Sequence, residues 1–324
     1  MVKHYARLVA VLVALAFLPL VIPVPTANDI LVFGLYAMGF NIALGYTGVL
    51  SFGHAAYFGL GGYGAGLALR YGDASVWTGL GAGIALATAG ALVIGALCVK
   101  KRGVYFAMLT AAFAQMIYFL ALSPWKHFTG GEDGLKGIRK LSLEVPFHVD
   151  LGNPWRLFAF TLVILAVALL VMDRILRSPF GSLLQGIREN EARLRACGYN
   201  TDHLKIVSFT LSGLFCGLAG ALYTISLGYV PLSSLYWVNS GRAVVMTLLG
   251  GMGTFFGPLL GAGIFVYFED SISTITPRWE IYVGTLVVVL ILAFPDGILG
   301  TINNLRARGL GLRRAPKAGG YEIG

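Results

Sequence analysis

Charge is scarce in this chain. Only 12% of its 324 residues are Asp, Glu, Lys or Arg, against about 25% in an ordinary soluble domain. Hydrophobic residues make up 57% and the mean hydropathy is +0.77, more apolar surface than a water-soluble globule can cover. Cysteine is scarce too. The three cysteines, an odd number, place Cys98 and Cys216 inside apolar runs and Cys197 in a basic stretch, so no disulfide framework is expected and packing is their role. Catalytic motifs are missing as well. No Gly is followed directly by Lys, which excludes a G-x-x-x-x-G-K-[ST] phosphate loop, and neither H-E-x-x-H nor G-x-S-x-G occurs. An intramembrane transferase would need paired acids or a nucleophile facing a cavity, and the sequence supplies neither. Carboxylates within apolar stretches are few, with Glu269 and Asp270 adjacent near one span end. A proton- or sodium-coupled carrier therefore has little from which to build a relay. The chain is not expected to be an enzyme.

What is present is a series of long apolar runs. Stretches of about 18 residues or more with almost no charge read as membrane spans, and here they fall near 8–24, 30–46, 53–69, 76–99, 103–122, 157–173, 206–227, 239–250, 257–276 and 281–296. The expected fold is an all-α polytopic membrane protein of about ten transmembrane helices. The stretch Leu8 to Val24 has the basic start of a signal peptide but ends in Pro19, Pro23 and Pro25 without a clean cleavage site, so an uncleaved first span is expected. The 44 glycines fit helices that approach closely where lipid removes the usual hydrophobic drive for association. Gly62 with Gly66, Gly213 with Gly217, and Gly257 with Gly261 have the spacing of such packing motifs.

The net charge of +9 gathers at the ends of the apolar runs and forms no aromatic-studded stripe, so nucleic acid is not an expected partner. With the N-terminus in the cytoplasm, Lys3 and Arg7, Lys100 to Arg102, Arg174 to Lys205 and the tail Arg306 to Lys317 all fall on the cytoplasmic side. The positive-inside rule is then satisfied. Both termini are expected inside, with a folded external loop at 123–156, a transmembrane domain over 1–300 and a basic cytoplasmic tail over 301–324, which is read first as a topology anchor and second as a contact to anionic membrane lipid.

Two spans are broken by glycine. The second and third flank Gly45-Tyr46-Thr47-Gly48-Val49-Leu50-Ser51-Phe52-Gly53-His54, and the eighth ends in Gly250-Gly251-Met252-Gly253. Broken backbone at membrane depth is tolerated only beside protein or a water-filled path. Asn41, Gly45, Tyr46, Thr47, Gly48, Ser51, Gly53, His54, Gly251 and Gly253 are therefore candidate path residues, with Ser240, Arg242 and Thr254 bracketing the second break. Their similar spacing, near 45–53 and near 250–257, hints at an internal repeat of the kind found in transporters. On the basic side, Ser178-Pro179 opens and Gly198 closes a mixed-charge helix near 180–198. It is either a simple connector at the interface or a docking helix for a cytoplasmic protein.

The segments NIALGYTGVLSFGHAAYFGLGGYGAG, SPFGSLLQGIRENEARLRACG, LLGGMGTFFGPLLGA and AFPDGILG together resemble branched-chain amino acid permeases of the LivM/LivH type, subunits of ATP-binding cassette (ABC) importers. The resemblance spans nearly the whole chain in the family's order. It implies a second, homologous permease subunit, two cytoplasmic ATPase subunits and a periplasmic or extracellular solute-binding protein, with no cofactor in this chain because ATP is bound by the partners. It also implies an inner-membrane location and makes Gly186, Arg188, Glu189, Asn190, Glu191 and Gly198 the candidate ATPase-coupling residues. One departure stands out: the general EAA-x3-G importer pattern places its Gly one residue closer to the Glu than Gly198 lies to Glu191, and Arg193 replaces the second Ala. Permeases for urea, short amides and aromatic acids share the family's segments, so branched-chain amino acids lead among the expected solutes without excluding these.

Overall fold

The computed structural model describes residues 2–72, 75–138, 142–143, 149–294 and 296–301. The tail beyond residue 301, Lys140 within the loop expected to be external and Pro295 in the last shared segment lie outside the described residues.

Among the described residues the chain is helical, with one two-residue antiparallel pair, β1 (Ser142–Leu143) with β2 (Val149–Asp150), in the segment expected to be the external loop, and an isolated antiparallel bridge between Leu135 and Val230. The first five helices are α1 (Val2–Ala16), α2 (Val24–Asn41), α3 (His54–Tyr71), α4 (Val76–Cys98) and α5 (Gly103–Leu122), followed by a single turn α6 (Lys126–Thr129). Beyond the loop come α7 (Pro154–Leu176), α8 (Pro179–Ala196), α9 (Thr201–Leu227), α10 (Val238–Gly250), α11 (Gly257–Ser273) and α12 (Trp279–Ala293). Among the described residues six segments are long and apolar enough to cross a membrane: Val24–Tyr46, Val76–Cys98, Gly103–Leu122, Pro154–Leu176, Thr201–Leu227 and Trp279–Thr301. This establishes a multi-pass architecture. α1, α3, α10 and α11 are shorter or broken by polar and glycine-rich joints, so their length and composition alone do not make them spans.

Helix ends follow local chemistry. The Asn153 side chain accepts from Trp155 N ahead of Pro154, and Asn200 Oδ1 accepts from His203 N, satisfying N–H groups that the first turn leaves without intrahelical partners. Gly228 takes the left-handed conformation that closes α9.

α2 is the central post. Its apolar window is 94% buried, whereas those of α4 and α7 are 33% buried, which leaves large side chains such as Val93, Leu97, Val163 and Val167 facing outward. An outward belt of that kind suits lipid and not water. The helices α3, α4 and α9 pack against one another through small residues: a Cβ at Gly61 would fall onto the Gly217 carbonyl, and one at Gly213 or Gly217 would strike Ala91 or Ala87. Gly257 and Gly261 likewise admit α10 against α11, so the paired glycines serve close packing as their spacing suggests. Cys98 and Cys216 are buried and Cys197 is exposed, all three unpaired.

Candidate functional site

After Asn41 the regular α2 ladder gives way to a π-helical turn over Ile42–Tyr46, a form that adds one residue per turn and often marks functional positions. The turn ends at Gly48, whose φ of +77° lets the chain leave the helix axis. Thr47 Oγ1 donates to the Ile42 carbonyl at 3.0 Å and lies 2.6 Å from Ser208 Oγ of α9. The irregular stretch that follows is held at its far end by Ser240 of α10, which donates to Phe52 O and accepts from Ala55 N, both at 2.8 Å. Ser51 Oγ accepts from Gly53 N at 3.0 Å. The backbone groups freed by the break are thus taken up in part locally, by Thr47 and Ser51, and in part by Ser240 of a distant helix.

His54 sits where α3 begins and is fully enclosed. Phe40, Tyr57 and Phe209 stand edge-on around its ring. Its Nε2 lies 2.8 Å from Ser212 Oγ, which donates to the Gly39 carbonyl at 2.7 Å. The arrangement ties α3 to α9 and α2 inside the core.

At the second break α10 stops at Gly250, and Gly251 and Gly253 adopt φ of +119° and +80°. The two breaks touch. Asn41 Nδ2 donates to Thr254 O at 3.0 Å, and Gly253 N donates to Asn41 Oδ1 at 3.1 Å. A Cβ at Gly45 would land on Asn41 Oδ1 and 2.7 Å from Gly253 N. Tyr46 and Thr47 are buried here, while Gly48, Val49, Leu50 and Thr254 are partly open.

Arg188 of α8 enters this junction from the side. Its Nη1 donates to the Gly45 carbonyl, its Cγ lies 3.1 Å from where a Gly48 Cβ would stand, and its guanidinium fills the space that a side chain at Gly253 would need. One cationic side chain therefore contacts both broken segments. Of the remaining residues on α8, Glu191 also turns toward its own chain. It receives Lys205 Nζ at 2.7 Å, Arg195 at 3.1 Å, the Thr201 hydroxyl at 3.0 Å and Arg102 at 3.4 Å, joining the end of α8 to α9 and to the α4–α5 turn. Partial burial would raise the Glu191 carboxyl, but the hydrogen bond and charge of Lys205, with Thr201 and Arg102, outweigh it and hold the group below its ordinary value.

α8 is two helices in series. Asn190 takes an extended conformation, and its Oδ1 accepts from Arg193 N at 2.9 Å, capping the second piece. Gly186 leaves room for Leu194, whose Cδ1 would be 3.2 Å from a Cβ there. Glu189 and Gly198 are exposed and free to meet another surface.

Arg242 lies away from the second break: it pairs with Glu269 of α11, toward the opposite end of α10 from Gly250. Ser240 serves the first break and not the second. The sequence offered no marker for Ser208 or Ser212 beyond their four-residue spacing, which puts two hydroxyls on one face of α9.

The family model described as branched-chain amino acid transport system, permease component, matches residues 22–294. The high-affinity branched-chain amino acid transport system permease protein LivM of Escherichia coli is 26% identical over 92% of this chain and 75% of the relative. Its Salmonella typhimurium counterpart is 27% identical over the same shares. The autoinducer 2 import system permease protein LsrC of Photorhabdus laumondii is 28% identical over 42% of this chain and 43% of its own length. No solved structure matches. A family match over that length, joined to a multi-pass helical bundle with two glycine breaks, places the chain in the permease-component family of branched-chain amino acid transport systems.

Proposed function

We propose that the chain is the membrane-spanning permease subunit of an ABC importer for branched-chain amino acids, crossing the inner membrane ten times with both termini in the cytoplasm. α8 is the one helix of the twelve that lies outside the crossings, apart from the single turn α6. Two cytoplasmic ATPase subunits bind and hydrolyse ATP, a solute-binding protein delivers the amino acid from outside, and a second permease completes the path. The relatives named for branched-chain amino acid transport support this solute.

One observation carries the coupling step: Arg188 of α8 bonds Gly45 in the first break and fills the space beside Gly253 in the second. Motion of α8 against a docked ATPase is transmitted by that side chain to both breaks, while Asn41 keeps the two moving as one. In this reading Arg188 acts on its own chain, and the exposed Glu189, Arg193 and Gly198 face the ATPase.

The test uses the whole complex in proteoliposomes, with radiolabelled leucine outside and ATP at the ATPase face. Arg188→Met keeps bulk but removes the donor. Wild type is expected to accumulate leucine only with ATP. The variant is expected to retain its ATPase subunits on purification and to hydrolyse ATP, yet lose most of its uptake. Uptake driven by an ion gradient without ATP rejects the importer reading, and full uptake by the variant rejects the transmission route.

A further inference from the structure

Toward the end of the bundle opposite Arg188 a second set of charged groups converges. On α2, Thr26, Asp29 and Phe33 share one stripe at helical spacing. Thr26 Oγ1 donates to Asp270 Oδ2 of α11 at 2.8 Å, and the Phe33 ring lies 5.1 Å below the Arg242 guanidinium carbon. Asp29 lies between Thr26 and Phe33 along that stripe, and Asp270, Glu269 and Arg242 are the charged groups whose field reaches it. Phe265 of α11 faces Arg242 from another side at 5.7 Å. Asp29, more than two hundred residues from the other three, thus joins Arg242, Glu269 and Asp270 in one charged neighbourhood, one cation against three carboxyls.

A purely structural ion pair needs no such excess. Charged groups in a span are costly unless paired, and one guanidinium compensates one carboxylate well. The pairing with Glu269 is itself incomplete: both Glu269 oxygens approach the single nitrogen Nη2, while Arg242 Nε is buried without an acceptor. A guanidinium that binds a carboxylate as a fork uses two nitrogens. Asp29 receives no hydrogen bond among the described residues, and the Glu269 and Arg242 side chains keep 19% and 26% of their surface. The cluster therefore has an unmet demand for a cation, an exchangeable carboxylate, and access.

We infer that this cluster binds the head group of a zwitterionic α-amino acid during passage, with the ammonium between Asp29 and Asp270 and the carboxylate on Arg242 in exchange for Glu269. The aromatic rings of Phe33 and Phe265 border the site on its apolar side. The inference rests on the amino-acid importer reading and adds a recognition site to it. Binding and release balance in charge: Glu269 leaves the guanidinium as the solute carboxylate arrives, and returns when it departs.

Equilibrium binding of radiolabelled leucine to the assembled permease and ATPase complex in nanodiscs, without the binding protein, tests it. Saturable binding is expected, displaced by excess leucine but not by 4-methylpentanoate, which lacks the ammonium, nor by 3-methylbutylamine, which lacks the carboxylate. Asp29→Asn is expected to weaken it roughly tenfold or more, the scale of one lost charge-assisted contact, and Asp29→Glu to restore part of it. The double variant R242Q/E269Q, neutral and so free of an unpaired buried charge, is expected to lose zwitterion selectivity. Binding unchanged in Asp29→Asn overturns the inference, as does equal displacement by either analogue or an absence of saturable leucine binding. Loss of the second permease from purified Asp29→Asn complexes also overturns it, by assigning the carboxyls to a cation across the subunit interface. ATP-driven leucine uptake by the wild-type complex, measured in parallel, reports on the importer reading alone.

Discussion

At Gly48 two demands coincide. The backbone takes φ +77°, and the Arg188 side chain passes 3.1 Å from where a Cβ would be. A side chain in the left-handed region costs about 1–2 kcal/mol, and here it would also push Arg188 off the Gly45 carbonyl. Gly53 differs. Its φ of −89° suits any residue, and an added methyl would meet Thr110 at 3.1 Å, a packing conflict without backbone strain. Gly48→Val is therefore expected to abolish most leucine uptake at equal membrane expression, whereas Gly53→Ala retains a measurable fraction. Uptake by Gly48→Val at the wild-type level would reduce the segment to ordinary packing. The sequence pointed to both glycines, but only the dihedral angle and the neighbour tell them apart.

α8 is an element whose ends are built differently from its middle. Arg188 reaches inward toward the breaks, and Glu191 locks the C-terminal piece to Lys205, Thr201, Arg195 and Arg102. Reversing Arg188 and Glu191 together would therefore disturb internal joints as well as any ATPase contact, since a cation at 191 would face three others. Capping by Ser178-Pro179 and Gly198 made the helix legible in the sequence. The extended Asn190 was not legible, because a local cap within a helix leaves no change in hydrophobic period. The lock also sets a pH dependence. A carboxyl held below its ordinary value of 4.5 in the folded state contributes stability that is fully present above that value and is lost as pH falls through the folded one. The melting temperature of wild type is expected to exceed that of Glu191→Gln by a constant margin from neutral pH down to about 4.5, with the margin closing in stronger acid. A margin that does not change with acidification would show that the carboxylate charge is not what holds the joint.

At the scale of the whole molecule, the proposed orientation rests on where the cations collect and on α8 lying at the end of the bundle where both breaks meet. A phosphatase reporter fused after Asp133 is expected to be active, since it functions only outside, and one fused after Gly198 to be silent. The opposite pair of results would invert the topology. The Asp133 fusion lies in a well-anchored part of the loop, where Leu135 and Val230 exchange both backbone hydrogen bonds at 3.0 Å. The sequence by itself determined the class, the helical architecture, the family and the places where helices break. Those properties are local: hydropathy, helical period, caps and glycine spacing act over a few residues at a time. Tertiary structure alone decided what the breaks touch. Asn41 meets Thr254 across 213 positions, Arg188 meets Gly45 across 143, and Arg242 meets Glu269 across 27. Each meeting is set by which helix faces pack against which, and in lipid that is governed by small-residue fit and by the need of every buried polar group for a partner. No single segment carries that information, because the partner that satisfies a broken backbone lies on another helix.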